Sequence, residues 1–213
     1  MNIKSVVEQA ATKFAIHNRT LKAKRIEAIA RASGAKSVLV VGTHPRMKNK
    51  PFENIIEKHM SEVADVFIPS GLLFDGIDGH EGHAPTWPNY VVADGTTLPF
   101  GDNAFDLVVS NAVIEHVGDL DDQVRFVAEH VRVGKEWAMT TPNRWFPIES
   151  HTRAFFKHWS PKWRATQRER FTRLLSRTEF KDLLPRDSIL IGNPGSPTFF
   201  ATSVPHEIDI DLR

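Results

Sequence analysis

The chain has 213 residues, 41% of them hydrophobic, enough to bury the core of one α/β domain. Lysine and arginine number 27 against 26 aspartates and glutamates, so overall charge gives no reason to expect DNA or a membrane surface as partner. Cysteine is absent, which excludes disulfides, zinc–thiolate sites, iron–sulfur clusters and cysteine nucleophiles.

No apolar run approaches transmembrane length, and Met1-Asn2-Ile3-Lys4-Ser5 lacks the core of a secretory signal, so a cytoplasmic protein is expected. Residues 3–32 place Val6, Val7, Ala10, Phe14, Leu21, Ile26, Ile29 and Ala30 at helical spacing. His17-Asn18-Arg19-Thr20 predicts a break between two helices, with Thr20 as a cap and Ser33-Gly34 as the final stop. The N-terminal helices of residues 1–34 then cover a sheet, or close over a site as a lid.

Residues 36–41 read as a buried strand ending at Gly42, residues 52–66 as a helix, and residues 72–78 as a second strand. His80-Glu81-Gly82-His83 offers two imidazoles near an acid, but its Gly, Pro and Asn surroundings imply a loop, and no metal is expected. Residues 90–93 and 105–110 are short Val-rich runs bounded by Gly, Pro and Asp, the signature of strands buried on both faces of a parallel sheet. Each ends in small polar residues, Asp94-Gly95 and Ser110-Asn111. Ligands of open α/β sheets sit beyond the carboxyl ends of the strands, which puts these residues where a cofactor would be.

Residues 119–133 predict a helix, with Asp119, Asp121 and Asp122 at its start, Arg132 at its end and Gly134 stopping it. A strand over 136–141 runs into Pro142-Asn143-Arg144-Trp145-Phe146-Pro147-Ile148-Glu149-Ser150-His151-Thr152. That mixture of aromatics, Asn, Arg, Glu and His past a strand end suits a substrate pocket wall, and aromatic clusters also pack loops. Residues 153–177 interleave basic and aromatic side chains, which predicts an amphipathic covering helix; RNA or anionic lipid are alternative partners for such a segment. A helix over 178–184 and strands over 188–191 and 198–204 complete the chain.

Asp94-Gly95, Leu98-Pro99-Phe100, Phe105-Asp106-Leu107-Val108 and Glu115-His116-Val117, in that order, resemble the class I S-adenosylmethionine-dependent methyltransferases of the type 11-like group. The 142–152 string is similar to a Thr-Pro-Asn-Arg-Trp-Phe-Pro-Ile-Glu-x-His-Thr segment in a subset of them. The resemblance implies a three-layer, Rossmann-like α/β sheet, mostly parallel with a C-terminal antiparallel strand pair. It implies a single domain over 1–213, with 142–185 as substrate-side loop and helical cover.

It also implies S-adenosyl-L-methionine as cofactor, held by Gly42, Asp78 (or Asp75) at the ribose, Asp94 and Gly95 at the adenine, Leu98 beside it, and Asn111 at the methionine end. The sequence departs from the family where Thr43-His44-Pro45-Arg46-Met47 follows Gly42 without the next glycines. Leu98 and Phe100 serve equally as core residues. Asn143, Arg144 and Trp145 are the candidate substrate contacts. His151, Glu149 and His116 are the candidate bases, His151 first because it lies in the substrate-side segment and titrates near neutrality. The implied reaction is methyl transfer to a small-molecule, sugar or lipid-type acceptor; the alternative is a non-catalytic methyltransferase-like binding or scaffold protein.

Overall fold

The structure is a computed structural model and describes residues 3–43, 55–72, 87, 89–168, 170 and 173–205. In chain order the elements are α1 (Ile3–Ala32), β1 (Ser37–Val41), α2 (Ile55–Val63), β2 (Val66–Leu72), β3 (Val91–Ala93), β4 (Phe105–Asn111), α3 (Leu120–Val133), β5 (Gly134–Pro142), α4 (Pro161–Ala165), α5 (Arg177–Leu183), β6 (Ile189–Ile191) and β7 (Thr198–Thr202). The strands form one sheet in the order β3-β2-β1-β4-β5-β7-β6. Pairing is parallel from β3 to β5 and antiparallel for β5 with β7 and β7 with β6, as the resemblance implies.

Strands with two buried faces need two covering layers. On one side Leu39, Val41 and Val108 pack with Phe126 of α3 and Phe180 of α5; on the other Val38, Val40 and Val109 pack with Ile26 and Ile29 of α1 and Ile56 and Met60 of α2. Alternate residues of β1 thus face opposite layers.

Three expectations need correction. The first 30 helical residues are one helix, not two. Thr20 does not cap a second helix; its hydroxyl donates to the Ile16 carbonyl at 3.0 Å, inside the helix. His, Asn and Thr each lower helix propensity by only ~0.7 kcal/mol or less, too little to break a helix that packs on a sheet.

The second strand is Val66–Leu72, which Pro69 and Gly71 disguise; of the expected 72–78, residues 73–78 lie outside the described residues. The Val66 N–H donates to the Lys36 carbonyl and the Ser70 carbonyl accepts from Gly42, so even-numbered residues of β2 face β1. The missing N–H of Pro69 points to the other side, where β3 begins pairing only opposite Ser70. Residues 153–177 hold a 3₁₀ turn at Lys157–Trp159 and the short α4 instead of one covering helix. Pro161 opens α4 behind the cap Ser160, and Arg153 and Phe156 take positive φ values of 55° and 57°. Gly134 stops α3 as expected, and its extended backbone (φ −103°, ψ 139°) opens β5 directly.

Candidate active site

Gly42 ends β1 at φ +88°, and a Cβ there would lie 2.4 Å from Cγ2 of Val113. The N–H groups of Gly42 and Thr43 both donate to the Ser70 carbonyl, at 2.7 and 2.9 Å. Ser70 and Ser110 stand on either side of Val41 in register. Both hydroxyl oxygens are buried without a hydrogen-bond partner among the described residues. A buried hydroxyl left so costs about 1–3 kcal/mol, and two of them at strand carboxyl ends fit a polar ligand or ordered water. Residues 44–50, Asp75, Asp78, His80 and His83 lie outside the described residues.

Asp94 closes its own turn, Oδ1 accepting from the N–H and hydroxyl of Thr96 at 2.8 Å each, with Gly95 buried beside it. Leu98 is buried in the core; its N–H donates to Glu129 and its carbonyl accepts from Arg132. Asn111 Oδ1 accepts from the Thr140 hydroxyl at 2.8 Å, which fixes the end of β4 against β5.

A 3₁₀ turn, Ile114–His116, follows β4. Buried Gln123 of α3 anchors it, donating to the Ile114 carbonyl (2.9 Å) and the Arg173 carbonyl (3.2 Å) and accepting from the Arg173 guanidinium (2.6 Å). The Arg173 N–H donates to the Glu115 carbonyl at 3.0 Å. Facing the turn, the loop after β5 folds around Glu149, whose carboxylate accepts from the N–H groups of His151 and Thr152 and the Thr152 hydroxyl. Glu149 Oε1 lies 2.7 Å from His151 Nδ1. His151 Nε2 is 3.1 Å from His116 Nε2, the rings meeting edge to face, and 3.7 Å from Glu115 Oε1.

Burial pushes the Glu115 carboxyl up to about 7, against the pull of His151 and Lys22. Burial, with the nearby charge of His151, holds the His116 imidazole down to about 4. Burial opposes ionisation of Glu149, yet the hydrogen bonds from His151 and Thr152 bring it down to about 2. His151 is raised: its own burial is outweighed by the Glu149 hydrogen bond and the charges of Glu115 and Glu149. These shifts favour the ion-paired form of Glu149 and His151 beside a neutral His116. From α1, Lys22 faces the group; burial and the Arg19 charge lower its ammonium to about 8 while Glu115 pulls it back. A proton can be held on this pair and passed at Nε2.

The three expected substrate contacts sit at the same edge with their groups engaged. Asn143 donates to the Pro194 and Ser196 carbonyls and accepts from the Trp145 N–H, so it ties the 193–197 loop down. Arg144 pairs with Glu179 at 2.9 Å and stacks 4.7 Å from the ring centroid of Trp145, which is 46% exposed. The fold brings His116, Glu149 and His151 together. Sequence reasoning missed Glu115, Gln123 and Lys22. Glu115 had a signal, its place beside His116; the other two carry none, because their partners are distant in sequence.

A family model described as "Methyltransferase domain" matches residues 77–137. That match covers less than a third of the chain, over β3, β4 and α3, and is to the family that the sequence resembles. Similar solved structures include a protein of Bacillus halodurans C-125 assigned as a methyltransferase, at TM-score 0.52 and 16% identity, covering 78% of this chain and 69% of that one. The S-adenosylmethionine-dependent methyltransferase of Aquifex aeolicus has TM-score 0.51 and 13% identity over 91% and 96% of the two chains. That of Mesorhizobium loti has TM-score 0.50 and 13% identity over 82% and 94%. At these identities the likeness is one of fold. No curated protein matches the chain in sequence.

Proposed function

We propose that this methyltransferase moves the sulfonium-bound methyl group of S-adenosyl-L-methionine to a small-molecule, sugar or lipid-type acceptor held between the Ile114–His116 turn and the 143–152 loop. The observation that carries the reading is the Glu149–His151–His116 array at the carboxyl ends of β4 and β5. When bound, the cofactor supplies an electrophilic methyl carbon. Gly42 opens the backbone beside Ser70 and Ser110; Asp94 and Gly95 take the adenine end, Leu98 backs it from the core, Asn111 takes the methionine end and Asp78 the ribose. In its neutral form His151, turned by Glu149 through Nδ1, presents Nε2 to the acceptor and takes its proton, with the Glu149 carboxylate holding the charge that forms.

Around the acceptor, Asn143 holds the loop, and Arg144 with Trp145 forms a wall that continues to Trp159, 6.3 Å from Trp145. Flat aromatic faces suit a sugar ring or an acyl chain. The basic run does not favour RNA: Arg164 turns back onto the His158 and Trp159 carbonyls, and Arg177 onto Gly192.

Calorimetric titration with S-adenosylmethionine and S-adenosylhomocysteine tests the reading on the wild type, Asp94→Ala and His151→Gln. Micromolar binding, about −8 kcal/mol, is expected in the wild type, with loss in Asp94→Ala and retention in His151→Gln. Transfer to an acceptor found by screening should fall ~10²–10⁴-fold in His151→Gln. Absence of cofactor binding by well-folded protein would sink the proposal and favour a non-catalytic scaffold.

A further inference from the structure

We propose that Glu115, His116 and His151 form a binding site for one divalent cation of borderline softness, zinc or a first-row neighbour. Their ligating atoms all lie within 4.8 Å of one another. The separations are 3.1 Å between the two Nε2 atoms, 3.7 Å from Glu115 Oε1 to His151 and 3.9 Å from Glu115 Oε1 to His116. A tetrahedral ion with bonds of roughly 2.0–2.1 Å sets its donors ~3.3–3.4 Å apart. The observed distances bracket that value, so movements of a few tenths of an ångström close the site.

The surroundings prepare these donors. His151 Nδ1 is committed to Glu149, which aims Nε2 at the cluster, the carboxylate–imidazole arrangement that orients metal-bound histidines. Glu149 is itself fixed by the backbone N–H groups of His151 and Thr152 and by the Thr152 hydroxyl. Gln123 and Arg173 pin the turn that carries Glu115 and His116. A cation would replace the proton shared by the two facing Nε2 atoms. Two imidazoles and one carboxylate select a borderline ion over calcium or magnesium, which take all-oxygen shells.

The Glu115 side chain is fully buried, while those of His116 and His151 are 26% and 22% exposed, so the site is lined inside and reachable from solvent. With the ion bound, His151 Nε2 is a ligand and not a base, and water or an acceptor oxygen would complete the shell. Only that last occupant rests on the methyl-transfer reading; the affinity for metal does not. Arg19 and Lys22 of α1 bring opposing positive charge, which weakens the site's hold on a cation.

The test uses the untagged full chain, stripped with a chelator, titrated with Zn²⁺ by calorimetry and with Co²⁺ by visible absorption. One equivalent bound at micromolar affinity is expected, with the intense d–d bands of low-coordinate cobalt. His116→Gln and His151→Gln should each weaken binding at least tenfold, and Glu149→Gln ~10–100-fold. Buried Glu115→Gln risks misfolding, so the two partly exposed histidines carry the test, with circular dichroism verifying their fold. No saturable binding, or binding undiminished in both histidine variants, overturns the proposal. Cofactor titration of the stripped protein separates the two readings: cofactor binding without metal binding leaves methyl transfer standing and removes the metal site, and the converse does the opposite.

Discussion

Gly42 meets two demands that no other residue type meets together. Its φ of +88° is strained for any residue with a Cβ, and that Cβ would press on Val113. Gly42→Ala should therefore cost about 1–3 kcal/mol, read as a lower urea midpoint at unchanged slope. The displaced turn should also weaken cofactor binding. Sequence alone singled out this glycine because it ends an apolar run; why it must be glycine is visible only with Val113, from just past the end of β4, in place. Glu149 and His151 are similar. Two residues apart, they were legible as a pair, whereas Glu115 and His116 join them only across the gap between two strands.

Elements were legible in kind and less so in extent. Period and composition located strands β1, β4 and β5 and helix α3, whose cap Asp119 accepts from the N–H groups of Asp121 and Asp122. They failed where a local signal was overruled. The weak helix formers at 17–20 lie inside α1, so Asn18→Pro should cost ~3 kcal/mol or more, against near neutrality if that stretch were a linker. Chemical denaturation monitored by far-ultraviolet circular dichroism decides between the two. Asp106 shows the same dependence on neighbours. Its carboxylate accepts from the N–H groups of Lys36 and Ser37 at 3.0 Å and from Lys135 at 2.8 Å, stapling the start of β1 to β4 and β5. The Lys135 ammonium and the Ser37 N–H, outweighing partial burial, hold this carboxyl well below its usual range. A depressed folded pKa means stability present above the unfolded value, ~3.9, and lost as pH falls toward the folded one. Asp106→Asn should thus cost ~2 kcal/mol at pH 7, and the gap from wild type should narrow below about pH 4. An equal gap at pH 3 and pH 7 would show that charge is not what holds the staple.

Across the whole molecule, a ligand that binds only the folded sheet stabilises all of it. S-adenosylmethionine at ~100 times its Kd should add about 2.7 kcal/mol, seen as a rise in unfolding temperature that is absent in Asp94→Ala. The global arrangement also explains the uneven legibility of the site. Among the described residues, no helix is long and apolar enough to cross a membrane. The order of buried strands, their polar ends, and the identity of Asp94, Asn111, Glu149 and His151 as site candidates were all written in the sequence, because each depends on spacing and residue type within a short stretch. The unbroken α1, the start of β2, the anchoring of the turn by Gln123, and the approach of Glu115, His116 and His151 were decided by tertiary structure alone. Each of these depends on burial against a partner distant in the chain, and such burial outweighs the few tenths of a kilocalorie by which local propensity speaks.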